Sequence, residues 1–311
     1  MSLYPAYPPV LVEAEFARVR FSLDLLSACS LERSDLLGLR RALLAAGRSL
    51  SRERRAALFE PPLSSDPVAL RRYQKPSPPF VLRIAPQLAG EHHEGDRLEF
   101  EVLFFGTGTL VIGDFLEVLQ TLGERGLAHG EGRFEVTAAH CQGADGKWRR
   151  FWCDLQPRSE LAPELVPLDQ WLDRSWPERL PVTFELITPA RLVAGGRVLR
   201  RPQFRQLFPF LLRRVSSMLH AHCGIEAISE PVRLRDEANQ VASEWLESLW
   251  IDWRGSGVGD DAESIGGCVG RLRLDGPGID GLLWVVLLAT LFGVGRGAAY
   301  GAGQCRLIHM P

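Results

Sequence analysis

The residues best suited to chemistry in this sequence lie near its C-terminal end. Residues 293–303 read GVGRGAAYGAG, five glycines and one arginine in eleven positions. One glycine is enough to end a helix, because a single left-handed residue turns the chain away. Five imply a backbone that must lie close to something, with amides free to donate to an anion. Arg296 adds a permanent charge whose planar fork suits phosphate. The same preference appears upstream, where residues 191–214 carry seven arginines and no acid, while 226–263 carry ten acids and three arginines. Lys75 and Lys147 are the only lysines, so nearly all the positive charge is arginine; a G+C-rich coding sequence produces the same bias. Metal chemistry is poorly served. Cys29, Cys141, Cys153, Cys223, Cys268 and Cys305 form no C-x-x-C pair. With no secretory signal before them, they are expected to be reduced cytoplasmic thiols.

These groups need elements to hold them. With 46% hydrophobic and 24% charged residues in 311, the chain can bury one large core or two ordinary ones. Its net charge of −2 gives no overall bias toward nucleic acid. The most apolar run, LLWVVLLATLF at 282–292, is about half the ~20 residues a membrane span requires, so a buried helix and no membrane partner are expected.

The glycine stretch also has a relative inside the chain. RGLAHGEG at 125–132 matches RGAAYGAG at 296–303, with His129 opposite Tyr300. Each copy follows a helix-length apolar segment and precedes a short strand-like run, which points to duplication. In the first half the periodicity predicts strand 10–24, helix 36–50, strands 80–86 and 97–106, helix 114–122 and strand 133–141. The second half repeats that order, with a helix over 204–223 that Pro209 should perturb. Both halves read β-α-β-β-α-β. The expected fold is therefore α+β, with tandem ferredoxin-like domains over 1–142 and 181–311, a connecting segment over 143–180 and a C-terminal glycine-rich loop.

The ordered segments ALFEPP, PSPPFVLRIAP, GDRLEFEVLFFG, LGERGLAHGEGRF, FELITPARL, FRQLFPFLLRRV and GGCVGRLRLDG, closed by the glycine loop, resemble one family over roughly residues 56–311. It is the CRISPR precursor-RNA processing endoribonucleases of the repeat-associated mysterious protein (RAMP) superfamily. The resemblance implies binding of CRISPR repeat RNA and metal-independent cleavage by the ribose 2′-hydroxyl to give mature crRNA, with no cofactor. It also implies a cytoplasmic protein whose partners are crRNA and subunits of a CRISPR effector complex.

In that light, Gly293, Gly295, Gly297, Gly301 and Gly303 would let a phosphodiester approach the main chain, although glycines also serve tight helix–sheet packing. Arg296 would reach phosphate, and Tyr300 would stack on a base or hydrogen-bond. Arg191, in the TPAR segment, and Arg213 and Arg214, on the acid-free stretch, are further phosphate candidates. Family members commonly carry a catalytic histidine in or beside the first helix. Here that slot falls near Ala45 or Ala46, and no histidine precedes His92. Arg40 and Arg41 could stabilise a pentavalent phosphate but are poor bases, and His129 in the first glycine turn is the remaining catalytic candidate. His220 and His222, ending a helix, are expected to favour its dipole as imidazolium. Two functions follow: an active processing nuclease, or an inactive RAMP-type crRNA-binding subunit that keeps the fold and the loop.

Overall fold

Alternation of apolar and polar side chains makes β1 (Glu15–Leu25) a strand with two unlike faces. Ala17, Val19, Phe21 and Leu23 are buried, while Arg18, Arg20 and Asp24 look the other way. The computed structural model describes residues 4–63, 65–73, 75–128, 130–157, 161–252 and 266–309. The strand starts later than the pattern suggests because Pro9 opens a 3₁₀ turn over Pro9–Glu13. α1 (Arg33–Ala46) starts earlier, since Glu32 and Asp35 cap its first turn reciprocally. Its Leu36, Leu39, Leu43 and Ala46 cover the buried face of β1.

β2 (Phe80–Arg83), β3 (Arg97–Phe105), α2 (Ile112–Arg125) and β4 (Phe134–Gln142) complete the first unit. Its sheet order is β2-β3-β1-β4, with antiparallel neighbours. β5 (Trp148–Cys153) adds to the β4 edge, and strand Val166–Pro167 pairs with β1. Part of the segment expected to be a connector thus extends the first sheet, and helix Leu168–Ser175 follows it.

The second unit repeats the order. β6 (Val182–Ala190), α3 (Phe204–Met218), β7 (Ala242–Asp252), β8 (Gly266–Asp275), α4 (Leu283–Phe292) and β9 (Cys305–His309) give a sheet ordered β7-β8-β6-β9. Both halves are ferredoxin-like, and the chain is a tandem α+β protein. α3 runs through Pro209 without stopping and passes into a π-helical turn at Leu219–Cys223. Every residue of α4 is buried, and no helix among the described residues is long and apolar enough to cross a membrane.

The two cores interlock at the seam between the units. Phe16, Val81, Leu103 and Phe105 of the first unit join the core of the second, and the rings of Phe105 and Phe292 meet at 4.6 Å. In return Ala299, Tyr300 and Ala302 enter the core of the first. The seam therefore positions the glycine loop.

Candidate functional site

All five loop glycines have positive φ: 68° at Gly293, 87° at Gly295, 80° at Gly297, 88° at Gly301 and 60° at Gly303. Space is as restrictive as conformation at three of them, including Gly295, where a Cβ would lie 2.7 Å from the Arg191 carbonyl oxygen. A Cβ on Gly303 would lie 1.7 Å from the Val294 carbonyl oxygen, and one on Gly301 would lie 2.4 Å from the Ile84 side chain. These three glycines therefore serve close packing, the plainer of the two sequence readings. A valine there would disturb the fold before it could report on RNA.

The loop amides are also largely committed within the protein. Gly293 donates to Ala289, Val294 to Gly303, Arg296 to Arg191, Tyr300 and Ala302 to Gly297, Gly301 to Ala298 and Gly303 to Pro189. The buried Thr188 hydroxyl donates to the Gly301 carbonyl at 2.6 Å and accepts from the Gln304 amide at 2.8 Å. The expected cradle of free amides is replaced by a self-bonded loop.

Tyr300 is a second correction. Its ring is 7% exposed and meets Phe80 edge-on at 5.7 Å, so it is packed into the first unit rather than open to a base. Burial pushes its phenol up to about 12 against the opposing pull of Arg40, so the group stays protonated. The Arg40 guanidinium sits over the ring, 5.5 Å from its centre. A first-helix candidate and a loop candidate, 260 positions apart, are thereby joined. Arg296 is exposed and Arg191 half-buried on the limb leading into the same turn, where their backbones bond at 3.2 Å. Arg41 is exposed on α1; at the histidine slot Ala45 is half-buried and Ala46 buried. His129 lies outside the described residues.

Arg213 and Arg214 part company. Arg213 is exposed on α3 with its guanidinium beside the Phe210 ring at 5.6 Å. Arg214 is only 5% exposed. It donates twice to the Phe292 carbonyl, at 3.2 and 3.1 Å, and once to the Ser77 hydroxyl at 2.6 Å. With these donors spent inside the seam it does not serve as a phosphate contact. His222 corrects the dipole reading: it is 3% exposed, donates from Nε2 to the Ser77 carbonyl at 2.9 Å, and burial pulls it down to about 4. It is neutral at physiological pH.

Sequence reasoning passed over a groove of about 560 Å³ on the open face of the first sheet. Arg18, Arg20, Arg83, Arg97 and Arg306 line it with Glu99 and Glu101. Arg20 lies 3.9 Å from the Trp148 ring centre, and the two glutamates pair with Arg18 and Arg20. The signal was present in the period-two arginines of β1. Pairing with these carboxylates offsets part of the positive charge of the groove. Among the described residues no three His, Cys, Asp or Glu side chains gather as metal ligands, and all six cysteines are free.

Residues 184–305 match the family model of the CRISPR-associated endoribonuclease Cas6, and residues 51–162 match the AF_1859 N-terminal domain. No protein of curated function matches. Among solved structures, Thermus thermophilus Cas6 is 17% identical over 95% of this chain and 99% of its own, with a TM-score of 0.55. A Cas6 in a product complex is 17% identical over 94% and 99%, at 0.52. A chain of a partial Cas6-RT-Cas1–Cas2 complex gives 0.59 at 15% identity, covering all of this chain and 47% of the other. At such identities the structures establish likeness of fold, and the family match is confined to the span from β6 to the start of β9. In its second domain the chain matches the family model of the CRISPR-associated endoribonuclease Cas6, and over its whole length its fold is similar to that of solved Cas6 structures.

Proposed function

We propose that the protein binds CRISPR repeat RNA along the rim of the seam and cuts the precursor transcript there. The observation that carries this reading is the meeting of Arg40 with the loop turn, next to Arg296 and Arg191. Three cations bordering one turn offer a phosphodiester a fixed set of charges, and the self-bonded loop keeps them in place. In the proposed reaction the 2′-oxygen attacks the adjacent phosphorus and the bond to the 5′-oxygen breaks. The attacking hydroxyl loses its proton and the leaving oxygen gains one, giving a cyclic phosphate and a 5′-hydroxyl. No metal is assigned a part. Arg40 and Arg41 are assigned the charge that builds on phosphorus; they cannot accept the proton, because guanidinium stays protonated. His129 is the candidate for proton transfer. The proposed setting is cytoplasmic, with crRNA and subunits of a CRISPR effector complex as partners.

Alanine at 45 and 46 favours a second reading, in which the chain holds crRNA without cutting it. One experiment separates the two. Repeat RNA is incubated with the protein in excess EDTA, beside the same RNA carrying a 2′-deoxy substitution at the scissile position. Active processing gives one cut that survives EDTA and disappears with the deoxy substitution. Arg40→Ala then lowers the single-turnover rate about 10²–10³-fold, the scale of losing one transition-state charge contact. Specific binding with no cut over hours decides for the second reading, and a cut that EDTA abolishes overturns the mechanism.

A further inference from the structure

The last carbonyls of a helix have no partner within it and carry the negative end of its dipole. In α4 those carbonyls lie in the seam, immediately before the glycine loop. Arg83, from β2 of the first domain, donates from Nη1 to the Thr290 carbonyl at 2.7 Å. Arg214, from α3 of the second domain, takes the Phe292 carbonyl with two nitrogens and ties it to Ser77 of the first domain with a third. Among the described residues no carboxylate pairs with Arg214, so its charge answers the helix end itself.

The neighbour of Arg83 completes the arrangement. Ile84 fills the space beside Gly301, at the far end of the loop. Two consecutive residues of the first domain thus hold the loop from both flanks, Arg83 at the last turn of α4 that leads into it and Ile84 where it returns. Between these grips lie Arg296 and the turn that Arg40 covers. A loop held from both flanks by the first domain keeps a fixed register against α1, which belongs to that domain.

We infer that Arg83, backed by Arg214, is a positioning residue that sets the register of the glycine loop against Arg40 across the seam. The functional consequence rests on the RNA-binding reading above; the structural part does not. Losing the Arg83 guanidinium leaves the Thr290 carbonyl without its donor and lets the start of the loop slide.

The test uses the full chain with Arg83→Met and Arg83→Lys, together with Arg214→Lys. Amide hydrogen exchange is followed in peptides spanning 293–303 and, as a reference, in β1 and β4. The expected result is at least about tenfold faster exchange in the loop for Arg83→Met with the reference strands unchanged, the mark of local rather than global opening, and partial recovery in Arg83→Lys. Repeat-RNA affinity is measured in parallel from low to high salt. It should fall about 10- to 100-fold in Arg83→Met with the salt slope unchanged, because no phosphate contact is lost. A slope shallower by about 0.7–0.9 would make Arg83 a direct phosphate ligand and overturn the inference. Unchanged loop exchange with only a lower melting temperature would also overturn it, leaving a purely structural arginine. If Arg83→Met does not fold, the two lysine variants carry the same comparison, since each keeps the charge and forfeits the fork. If the parent protein fails to bind repeat RNA, the functional reading falls and the exchange measurement still decides the positioning role.

Discussion

In the first domain the chain leaves α2 and reaches β4 through Gly126, Gly130 and Gly132, with φ of 88°, 90° and 66°. The corresponding residues of the second domain, Gly297, Gly301 and Gly303, have φ of 80°, 88° and 60°. The φ values agree, but ψ at the first glycine does not, 158° at Gly126 against 10° at Gly297, and the surroundings differ as well. Gly132 sits against the Cys29 side chain of its own domain, and Gly130 has nothing within 4 Å of where a Cβ would be. Gly303 sits against the Val294 backbone, and Gly301 against Ile84 across the seam. One turn closes a domain; the other joins two. The two turns share their positive φ values, whereas their contacts differ.

The sharpest way to break this comparison is at its last glycine. Gly303→Ala meets backbone that cannot yield, and it adds left-handed strain, so a loss of about 3–5 kcal/mol is expected in denaturant unfolding. Gly132→Ala carries the same strain but meets a side chain. Cys29→Ala, which removes the nearest atom, should recover part of that loss, whereas no single side-chain truncation should rescue Gly303→Ala. Equal costs and equal rescue would mean the two turns are mechanically alike.

A smaller effect should distinguish the seam by pH. His222 is held at about 4, below its ordinary 6.5, chiefly by burial; Arg214 acts in the same sense and the bond to Ser77 opposes both. The unfolded chain takes up a proton through this window that the folded chain refuses. Stability is therefore full above pH 6.5 and declines as the pH falls toward 4, by on the order of 3 kcal/mol. Chemical unfolding of the parent and of His222→Gln at pH 7, 5.5 and 4.5 checks this, with the extra acid-side loss confined to the parent. The smallest effect belongs to the middle glycines. Gly130→Ala should cost only the left-handed strain, about 1–2 kcal/mol. Gly301→Ala should cost more, and Ile84→Ala should lessen the difference in a double-mutant cycle.

Much of the fold was legible because it rests on local periodicity. The alternation in β1, the helical spacing in α2 and the repeated R-G-x-A-x-G-x-G placed the tandem order close to where it lies. Pro209 stood as a warning against α3, yet buried Phe204, Leu207, Phe208 and Leu211 carry the helix past it. The site was legible only as a set of residue types. Arg213 and Arg214 are adjacent in sequence, and nothing in the string separates the exposed one from the one whose donors end at Phe292 and Ser77. Free amides were expected of a glycine run, but their acceptors at Arg191 and Pro189 lie about a hundred positions away. Contacts of that span leave no spacing to detect. Arg40 and Tyr300 could each be named, and their meeting could not.

The aligned arginines at 125 and 296 show what the lengthened turn achieves. Arg125 is the last residue of α2, with Gly126 as its cap, whereas α4 already ends at Phe292 and caps at Gly293. Three residues, Gly293, Val294 and Gly295, therefore separate the second helix from the point where the shared motif begins. That spacer detaches an arginine from the rigid rod to which its counterpart belongs and sets it out as a short outrigger beside the seam. Its side chain can then be aimed independently of the helix axis, a freedom that substituting residues within the first-domain turn would not create.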